Sequence, residues 1–203
     1  MKQYFKKLIA GIETTIDPLS SGMDDKSRRL FYLVFLISGL PAMFFFGVSS
    51  LRKGNFVLFA SLVVLAAGVI AGWQFLLKNR NGEWVYRINA FIYSLILLYV
   101  LYIGGQDGSK ILWSYTFPLI VIFFLGRKEG LVWCVVYLIA AMAIIGPDRV
   151  LPGQFGYHDE LKLRFPVTYA MVSAITFWFE YLRHEYRSRL EQKNEMLESQ
   201  IEK

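Results

Sequence analysis

One apolar run without a polar face constrains this chain more than any other feature. Residues 56–71 read FVLFASLVVLAAGVIA, and Ser61 is their one polar side chain. A helix on the surface of a soluble protein keeps polar residues on one face. Because this run has no such face, it predicts a helix with apolar surroundings on all sides. That pattern is typical of a membrane span rather than of a helix in a soluble bundle.

Five further apolar stretches extend this prediction to most of the chain. The six are residues 30–50, 55–77, 85–103, 111–125, 130–145 and 165–182. A span requires about 20 apolar residues, so the fourth and fifth are short. The charged sequence at residues 126–129 between them predicts the tight turn of a helical hairpin. With 55% hydrophobic and 19% charged residues, we predict an all-α polytopic membrane protein with six transmembrane helices.

The net charge of +6 fits this topology better than it fits a nucleic-acid partner. Multi-span proteins concentrate Lys and Arg in their cytoplasmic segments. Most of the Lys and Arg residues fall on one side if the N-terminus is cytoplasmic and the chain crosses six times. The sequence therefore predicts a multi-pass protein in contact with the lipid bilayer, with both termini in the cytoplasm.

The ends of the chain are predicted to be cytoplasmic segments flanking the membrane domain of residues 30–182. Residues 1–29 contain apolar side chains at helical spacing, which predicts either an amphipathic helix on the membrane surface or a helix packed on the protein. Those side chains are Phe5, Leu8, Ile9, Ile12 and Ile16. Residues 183–203 are predicted to continue the sixth span as one helix, because residues 177–203 contain no Gly or Pro.

The C-terminal segment has the pattern of a short coiled coil. Leu190 and Leu197 suit d positions of a heptad, and Asn194 and Ile201 then fall at a positions. This predicts a homodimer formed through the C-terminal helix, whereas the alternative is a solvated helix. The heptad is still open at Lys203, so we expect this chain to be a fragment that an output domain follows.

Two segments resemble the N-terminal membrane sensor regions of bacterial signalling proteins. Residues 190–201 are similar to the signalling helix that joins such sensors to output domains. The run from Tyr102 to Leu131, with YIGGQDGS at its start and FFLGRKEGL at its end, is similar to the third-to-fifth-span region of the multi-span, MASE-like sensors. These belong to histidine kinases of two-component systems and to diguanylate cyclases. The resemblance implies a dimer in the bacterial inner membrane with a cytoplasmic output.

The chain itself has no recognisable catalytic constellation. His158 and His184 lie on opposite sides of the membrane in the predicted topology, and Cys134 is the single cysteine. A paired-His metal site within one chain is therefore excluded by this topology. We predict no catalytic residues, no metal and no cofactor, so that any enzymatic activity belongs to the output domain, a histidine kinase or a diguanylate cyclase.

The best candidate for a ligand site is a polar and aromatic cluster at the outer membrane face. It comprises Tyr99, Tyr102, Asp107, Trp113 and Tyr115. Such residues form either an interfacial aromatic belt or a pocket for a small apolar or amphipathic stimulus, with Asp107 as its polar anchor. Pro118 is predicted to kink the fourth span and open space, and the loop around His158 to form a lid.

Signal transmission is predicted to run through the sixth helix. The spacing of Glu180 from Arg183 and His184 permits pairing on one helix face. Such a pair is either a structural ion pair at the interface or a contact whose rearrangement transmits a signal. The favoured function is thus a membrane-embedded sensory domain. The alternatives are a small transporter or channel, and a passive dimeric membrane anchor.

Overall fold

The computed structural model describes residues 23–78, 82–104, 106–147 and 154–201, and these form an all-helical bundle. The predicted all-α class is confirmed, since the described residues contain no strand. The elements are α1 (Met23–Arg52), α2 (Phe56–Lys78), α3 (Glu83–Ile103), a 3-10 helix (Gln106–Tyr115), α4 (Thr116–Leu125), α5 (Arg127–Ile145) and α6 (Asp159–Ile201). The amphipathic pattern predicted at residues 5–16 lies outside the described residues.

Among the residues that the structure describes, five helical segments are long and apolar enough to cross a membrane. They are Lys26–Arg52, Phe56–Lys78, Glu83–Ile103, Gly108–Leu125 and Arg127–Ile145. Large apolar side chains such as Phe44, Val57 and Ile139 are exposed on the outside of the bundle, as expected for a surface that faces lipid. The segment Gly108–Leu125 is the most buried of the five, with 56% of its apolar window inside the protein. It is therefore the centre of the bundle.

The bundle has two ends, which we name by their residues. Arg29 donates a hydrogen bond to the Leu76 carbonyl, and the Arg28 guanidinium lies beside Gly126. The start of α1, the end of α2 and the α4–α5 turn therefore meet at one end, which we call the basic end. The opposite end, where Gly104 lies against Phe155, is called the loop end. Arg29 supplies a cation to the carbonyl end of α2, where such a charge is favourable.

The fourth apolar stretch is not one continuous α-helix, contrary to the prediction for residues 111–125. A 3-10 helix fills residues 106–115, and α4 begins only at Thr116. Pro118 has no N–H group, so it cannot make the α-helical bond to the carbonyl of residue 114. It lies in the first turn of α4, where a missing N–H is tolerated. Pro118 thus lies just after the change from 3-10 to α-helix, and a kink of the span at this residue stays a prediction.

The hairpin between the fourth and fifth stretches is tighter than predicted. Gly126 alone connects α4 to α5, and Arg127, Lys128 and Glu129 form the first turn of α5 rather than a loop. A Cβ atom at Gly130 would lie 2.6 Å from the Ile122 Cα atom. The absence of a side chain at Gly130 thus allows the two backbones to approach this closely.

Helix α6 begins earlier than the predicted sixth span, which started at residue 165. It begins at Asp159, so Lys162 and Arg164 belong to its first turns and not to the predicted loop around His158. Asp159 and Glu160 place negative charge at its N-terminus, which is favourable there. The helix continues without interruption to Ile201, as the absence of Gly and Pro in that segment predicted. It is not among the five segments apolar enough to span by composition.

Candidate functional site

The loop end is covered by the segment that precedes α6. The Phe155 backbone N–H donates to the Tyr102 carbonyl at 3.0 Å, and the Tyr157 hydroxyl donates to the Leu101 carbonyl at 2.7 Å. Burial raises the pKa of the Tyr157 phenol to about 12, so the phenol keeps its proton at physiological pH. These bonds attach residues 154–158 to the last turn of α3.

Phe155 fills the space beside the turn that follows α3. Gly104 has a φ of 70°, a backbone conformation that other residues rarely adopt. A Cβ atom at Gly104 would lie 2.1 Å from the Phe155 ring, so the ring packs directly on the glycine. Around these residues the loop end is closely packed and not open.

The residues predicted to bind a ligand differ in their exposure and in their contacts. The Trp113 side chain is 41% exposed on the outside of the bundle, with its ring centroid 4.8 Å from that of Phe46. Tyr99 and Tyr102 are half-buried and His158 is exposed. Asp107 belongs to the 3-10 helix, but its side chain lies outside the described part of the structure. A ligand site formed by these residues stays a prediction.

Three consecutive residues, at the end of the 3-10 helix and the start of α4, each contact a different helix. We call Ser114, Tyr115 and Thr116 the junction. The Tyr137 hydroxyl of α5 donates to Ser114 Oγ at 2.8 Å. The Tyr115 hydroxyl is 2.5 Å from Thr168 Oγ1 of α6, and the Tyr93 hydroxyl of α3 is 2.5 Å from Thr116 Oγ1. The junction therefore connects α3, α5 and α6 at one level of the bundle.

The geometry of a 3-10 helix explains why neighbouring residues reach three helices. With about 3.0 residues per turn, consecutive side chains point roughly 120° apart. Each threonine donates its single hydroxyl proton to a carbonyl three or four residues earlier in the chain: Thr116 to Trp113, and Thr168 to Arg164. The tyrosines Tyr93 and Tyr115 must therefore be the donors in their pairs.

Aromatic stacking strengthens the same region. The Phe117 ring centroid is 4.3 Å from that of Tyr137 and 6.2 Å from that of Tyr93. Tyr137 stacks in turn on Tyr169 of α6 at 5.7 Å. A displacement of the junction would therefore disturb packing as well as hydrogen bonds on α6.

At the basic end, α6 is attached to α4 and α5 where it leaves the bundle. Glu180, which is 6% exposed, forms an ion pair with Arg183. The Arg183 guanidinium lies over the Phe123 ring of α4 at 4.7 Å, and Arg127 of α5 lies over Tyr181 at 5.3 Å. These cation–π contacts stabilise one rotational position of α6.

Beyond this attachment, α6 continues as a solvent-exposed helix. Its residues His184, Leu190 and Leu197 are exposed. The side chains of Asn194 and Ile201 lie outside the described part of the structure. Pairing of this segment with a second copy is therefore not tested by the contacts within one chain.

Comparison with known protein families identifies the domain. The family model MASE6 matches residues 25–190. This chain belongs to the MASE6 family. MASE families are multi-span membrane sensor domains of histidine kinases and cyclases, so the resemblance found in the sequence is confirmed. No curated protein and no solved structure matches the chain significantly. The MASE6 match includes the junction and the Glu180–Arg183 pair.

Contacts between helices also involve residues that were not predicted as site residues. Ser114, Thr116 and Thr168 are hydroxyl side chains within apolar stretches, and polar groups in a span commonly face other helices. That signal was present in the sequence. The ion pair between Arg87 and Glu129, at 2.8 Å, joins residues far apart in the chain and had no sequence signal.

Proposed function

We propose that this MASE6 domain detects a small apolar or amphipathic stimulus at its loop end and passes the signal through α6 to a cytoplasmic output domain. The expected output domain is a histidine kinase or a diguanylate cyclase. The junction is the observation that carries this proposal. One short segment contacts α3, α5 and α6 together, and α6 is the helix that continues out of the bundle. A shift of the junction is thereby coupled to the segment that would join the output domain.

The proposal requires that α6 cross the membrane as a sixth span. Its exposed face is apolar along the bundle, with residues spaced three or four apart. These are Leu163, Val167, Met171, Ile175 and Trp178. Its Ser and Thr side chains, which lower its mean hydropathy, bond to carbonyls of the helix itself, as Ser173 and Thr176 do. This supports a span with a lipid-facing side and a polar interior side.

The orientation follows from the charge at the basic end. Arg28, Arg29, Arg127 and Arg183 all lie there, and basic residues accumulate on the cytoplasmic side of multi-span proteins. The basic end, with the C-terminal segment of α6, therefore faces the cytoplasm of the inner membrane. The loop end faces the outside. In this orientation both chain termini are cytoplasmic.

Trp113 is the most favourable point of contact for the stimulus. It is exposed beside Phe46 on the lipid-facing surface and immediately precedes Ser114 of the junction. A 3-10 helix rises about 2.0 Å per residue, against 1.5 Å for an α-helix. Conversion of the ten residues Gln106–Tyr115 would change their length by about 5 Å. The segment would then have two states, 3-10 and α. A stimulus that binds one state more tightly would raise the population of that state.

The exposed residues Leu190 and Leu197 support pairing with a second copy. They fall at heptad positions on a helix that has left the bundle. A homodimer would bring two output domains together in the cytoplasm. No nucleic acid and no cofactor is required by this function.

Junction variants of the full-length protein test the proposal. Tyr115→Phe and Thr168→Val each remove the hydrogen bond to α6, which is worth about 1 kcal/mol. A change of this size shifts a two-state equilibrium about fivefold, so we expect the basal output activity to change severalfold. Tyr99→Phe is the control, because it removes a hydroxyl from a half-buried tyrosine of α3 that lies outside the junction.

Response to the stimulus gives the second readout. Trp113→Ala should abolish the response while expression and membrane insertion remain normal. A passive membrane anchor predicts instead that Tyr115→Phe, Thr168→Val and Trp113→Ala leave output activity at the wild-type level. That result would reject the sensory function.

A further inference from the structure

Asn89 is a polar residue inside the bundle, on the face of α3 that packs against α2. Its side chain is only 5% exposed. The amide group lies between two glycines of α2: a Cβ atom at Gly68 would be 3.4 Å from Asn89 Oδ1, and one at Gly72 would be 3.0 Å from Asn89 Nδ2. A buried polar group is costly unless it is hydrogen-bonded. The hydrogen bonds of this amide therefore matter for what α2 and α3 can bind.

Only one end of the Asn89 amide is hydrogen-bonded. Nδ2 donates to the Val85 carbonyl at 2.9 Å, whereas Oδ1 has no donor among the described residues. The Tyr32 hydroxyl lies beside Gly72, but it donates its proton to the Val69 carbonyl at 2.9 Å. A buried acceptor without a donor carries a desolvation cost. Asn89 Oδ1 is therefore a favourable acceptor for a donor that reaches it.

The two glycines beside Asn89 differ in what a side chain would meet. A Cβ atom at Gly72 would overlap the Tyr32 hydroxyl, so the packing of α1 on α2 requires a glycine there. At Gly68, a Cβ atom would have only Asn89 Oδ1 at 3.4 Å and Ile92 Cδ1 at 3.8 Å within 4 Å among the described residues. These are ordinary van der Waals distances. Packing does not require a glycine at position 68, and its absent side chain leaves space beside Oδ1.

This space is next to the lipid-facing surface of the bundle. Gly68 is half-buried, and the neighbouring side chains of Val64 and Ile88 are 57% and 55% exposed. Both α2 and α3 are apolar enough to cross a membrane. Asn89 lies six residues after the start of α3, roughly 9 Å along the helix, which places it in the hydrocarbon part of a bilayer. A ligand would therefore reach the space from the lipid.

We propose that the space between Gly68 and Ile92 binds a small apolar molecule that carries one hydroxyl group, which donates its hydrogen bond to Asn89 Oδ1. A hydroxyl group finds few acceptors in hydrocarbon, so this bond favours the bound state. The half-buried Ile92 side chain moves to admit the molecule, and the apolar side chains around Gly68 contact the rest of it. A charged ligand is disfavoured in these apolar surroundings. The inference does not depend on the sensory function of the domain.

Photolabelling with a matched pair of probes tests this site. The full chain in lipid nanodiscs is labelled with an octanol that carries a diazirine group, or with the octane that carries the same group. Mass spectrometry gives the ratio of alcohol to alkane labelling in each peptide. The peptide around Ile139 of α5, whose side chain is 66% exposed, reports labelling from the lipid. We expect the ratio around Gly68 and Asn89 to be about fivefold higher, as one buried hydrogen bond predicts.

Two variants connect this ratio to the oxygen and to the space beside it. Asn89→Leu replaces the amide by an apolar group of similar size, so the ratio should fall to that of the Ile139 peptide. Gly68→Ala fills the space and keeps Asn89, and it should give the same result. The alanine methyl makes contacts of ordinary length and favours a helix. Gly68→Ala therefore tests the site even where Asn89→Leu does not fold, and thermal unfolding midpoints show which variants are folded.

Gly39→Ala is the matched control for Gly68→Ala. Gly39 is a half-buried glycine of α1, and a Cβ atom there would meet only Phe35 and Met43 of the same helix, at 3.7–3.8 Å. This variant should leave the ratio at the wild-type value. Equal ratios around Gly68 and Ile139 in the wild type would overturn the proposal. An unchanged ratio in Gly68→Ala, or an equal fall in Gly39→Ala, would overturn it as well.

Discussion

At the scale of single residues, hydrogen bonds between hydroxyl groups connect the helices at the centre of the MASE6 domain. The sequence predicted large aromatic residues as the site, because they stand out in composition. It did not predict Ser114 or Thr116, because a small hydroxyl residue in an apolar stretch often bonds to its own helix. Which tyrosine would meet each hydroxyl depends on the packing of helices that are distant in the chain.

We predict that Tyr137→Phe destabilises the domain by about 1 kcal/mol. The substitution keeps the ring stacked on Phe117 and removes the hydrogen bond to Ser114, whose side chain is 1% exposed. A buried hydroxyl that loses its partner carries a desolvation cost. The thermal unfolding midpoint in detergent micelles measures the effect. Tyr99→Phe serves as the control, and equal midpoints for the two variants would contradict a stabilising bond at Ser114.

At the scale of elements, the sequence predicted the helical form of the apolar stretches better than the helix boundaries. Residues 30–50, 55–77 and 85–103 fall within α1, α2 and α3 except for Asn55, because an apolar stretch of that length has few other stable forms in lipid. The 3-10 helix was not predicted, since its residues have no periodicity that separates 3-10 from α over ten positions. The start of α6 at Asp159 was missed because charged residues were assigned to a loop.

The segment 154–158 provides an element-scale prediction. Gly104→Ala places a side chain at a φ of 70° and against the Phe155 ring, so it should detach this segment from α3. Hydrogen exchange at the Phe155 amide, which donates to the Tyr102 carbonyl, should then become at least about tenfold faster, as expected for a loss of 1.4 kcal/mol.

Gly54→Ala is the matched control for Gly104→Ala. Gly54 has a similar φ of 72°, but a Cβ atom there would have nothing within 4 Å. The Gly54→Ala variant therefore has the same backbone strain as Gly104→Ala but makes no contact with Phe155. Unchanged exchange at Phe155 in Gly104→Ala would show that the segment is held by other contacts.

At the scale of the whole molecule, hydropathy predicted the all-helical membrane architecture, whereas the orientation predicted from charge stays a prediction. Apolar residues in long stretches must form helices in lipid. The ends of the helices meet through specific contacts, such as Arg29 with the Leu76 carbonyl. These contacts could not be predicted, because the sequence does not show which turn of one helix lies beside another.

Labelling of introduced cysteines should place the two ends of the bundle on opposite sides of the membrane. Cys134 is 2% exposed, and Cys134→Ser provides a background without native thiols. We expect His158→Cys to react with an impermeant thiol reagent in intact cells, and Gln192→Cys to react only after permeabilisation. Reaction of both positions on the same side would contradict a sixth span in α6.

The central claim is that the junction controls the position of the α6 segment that leaves the bundle. The most direct measurement is the distance between spin labels at Lys78→Cys and Gln192→Cys in the Cys134→Ser background, by pulsed electron resonance in nanodiscs. Both sites are exposed, one at the end of α2 and the other on the C-terminal part of α6. The account predicts that Tyr115→Phe shifts or broadens the distance distribution, whereas Tyr99→Phe leaves it unchanged. Identical distributions in the wild type and Tyr115→Phe would contradict it.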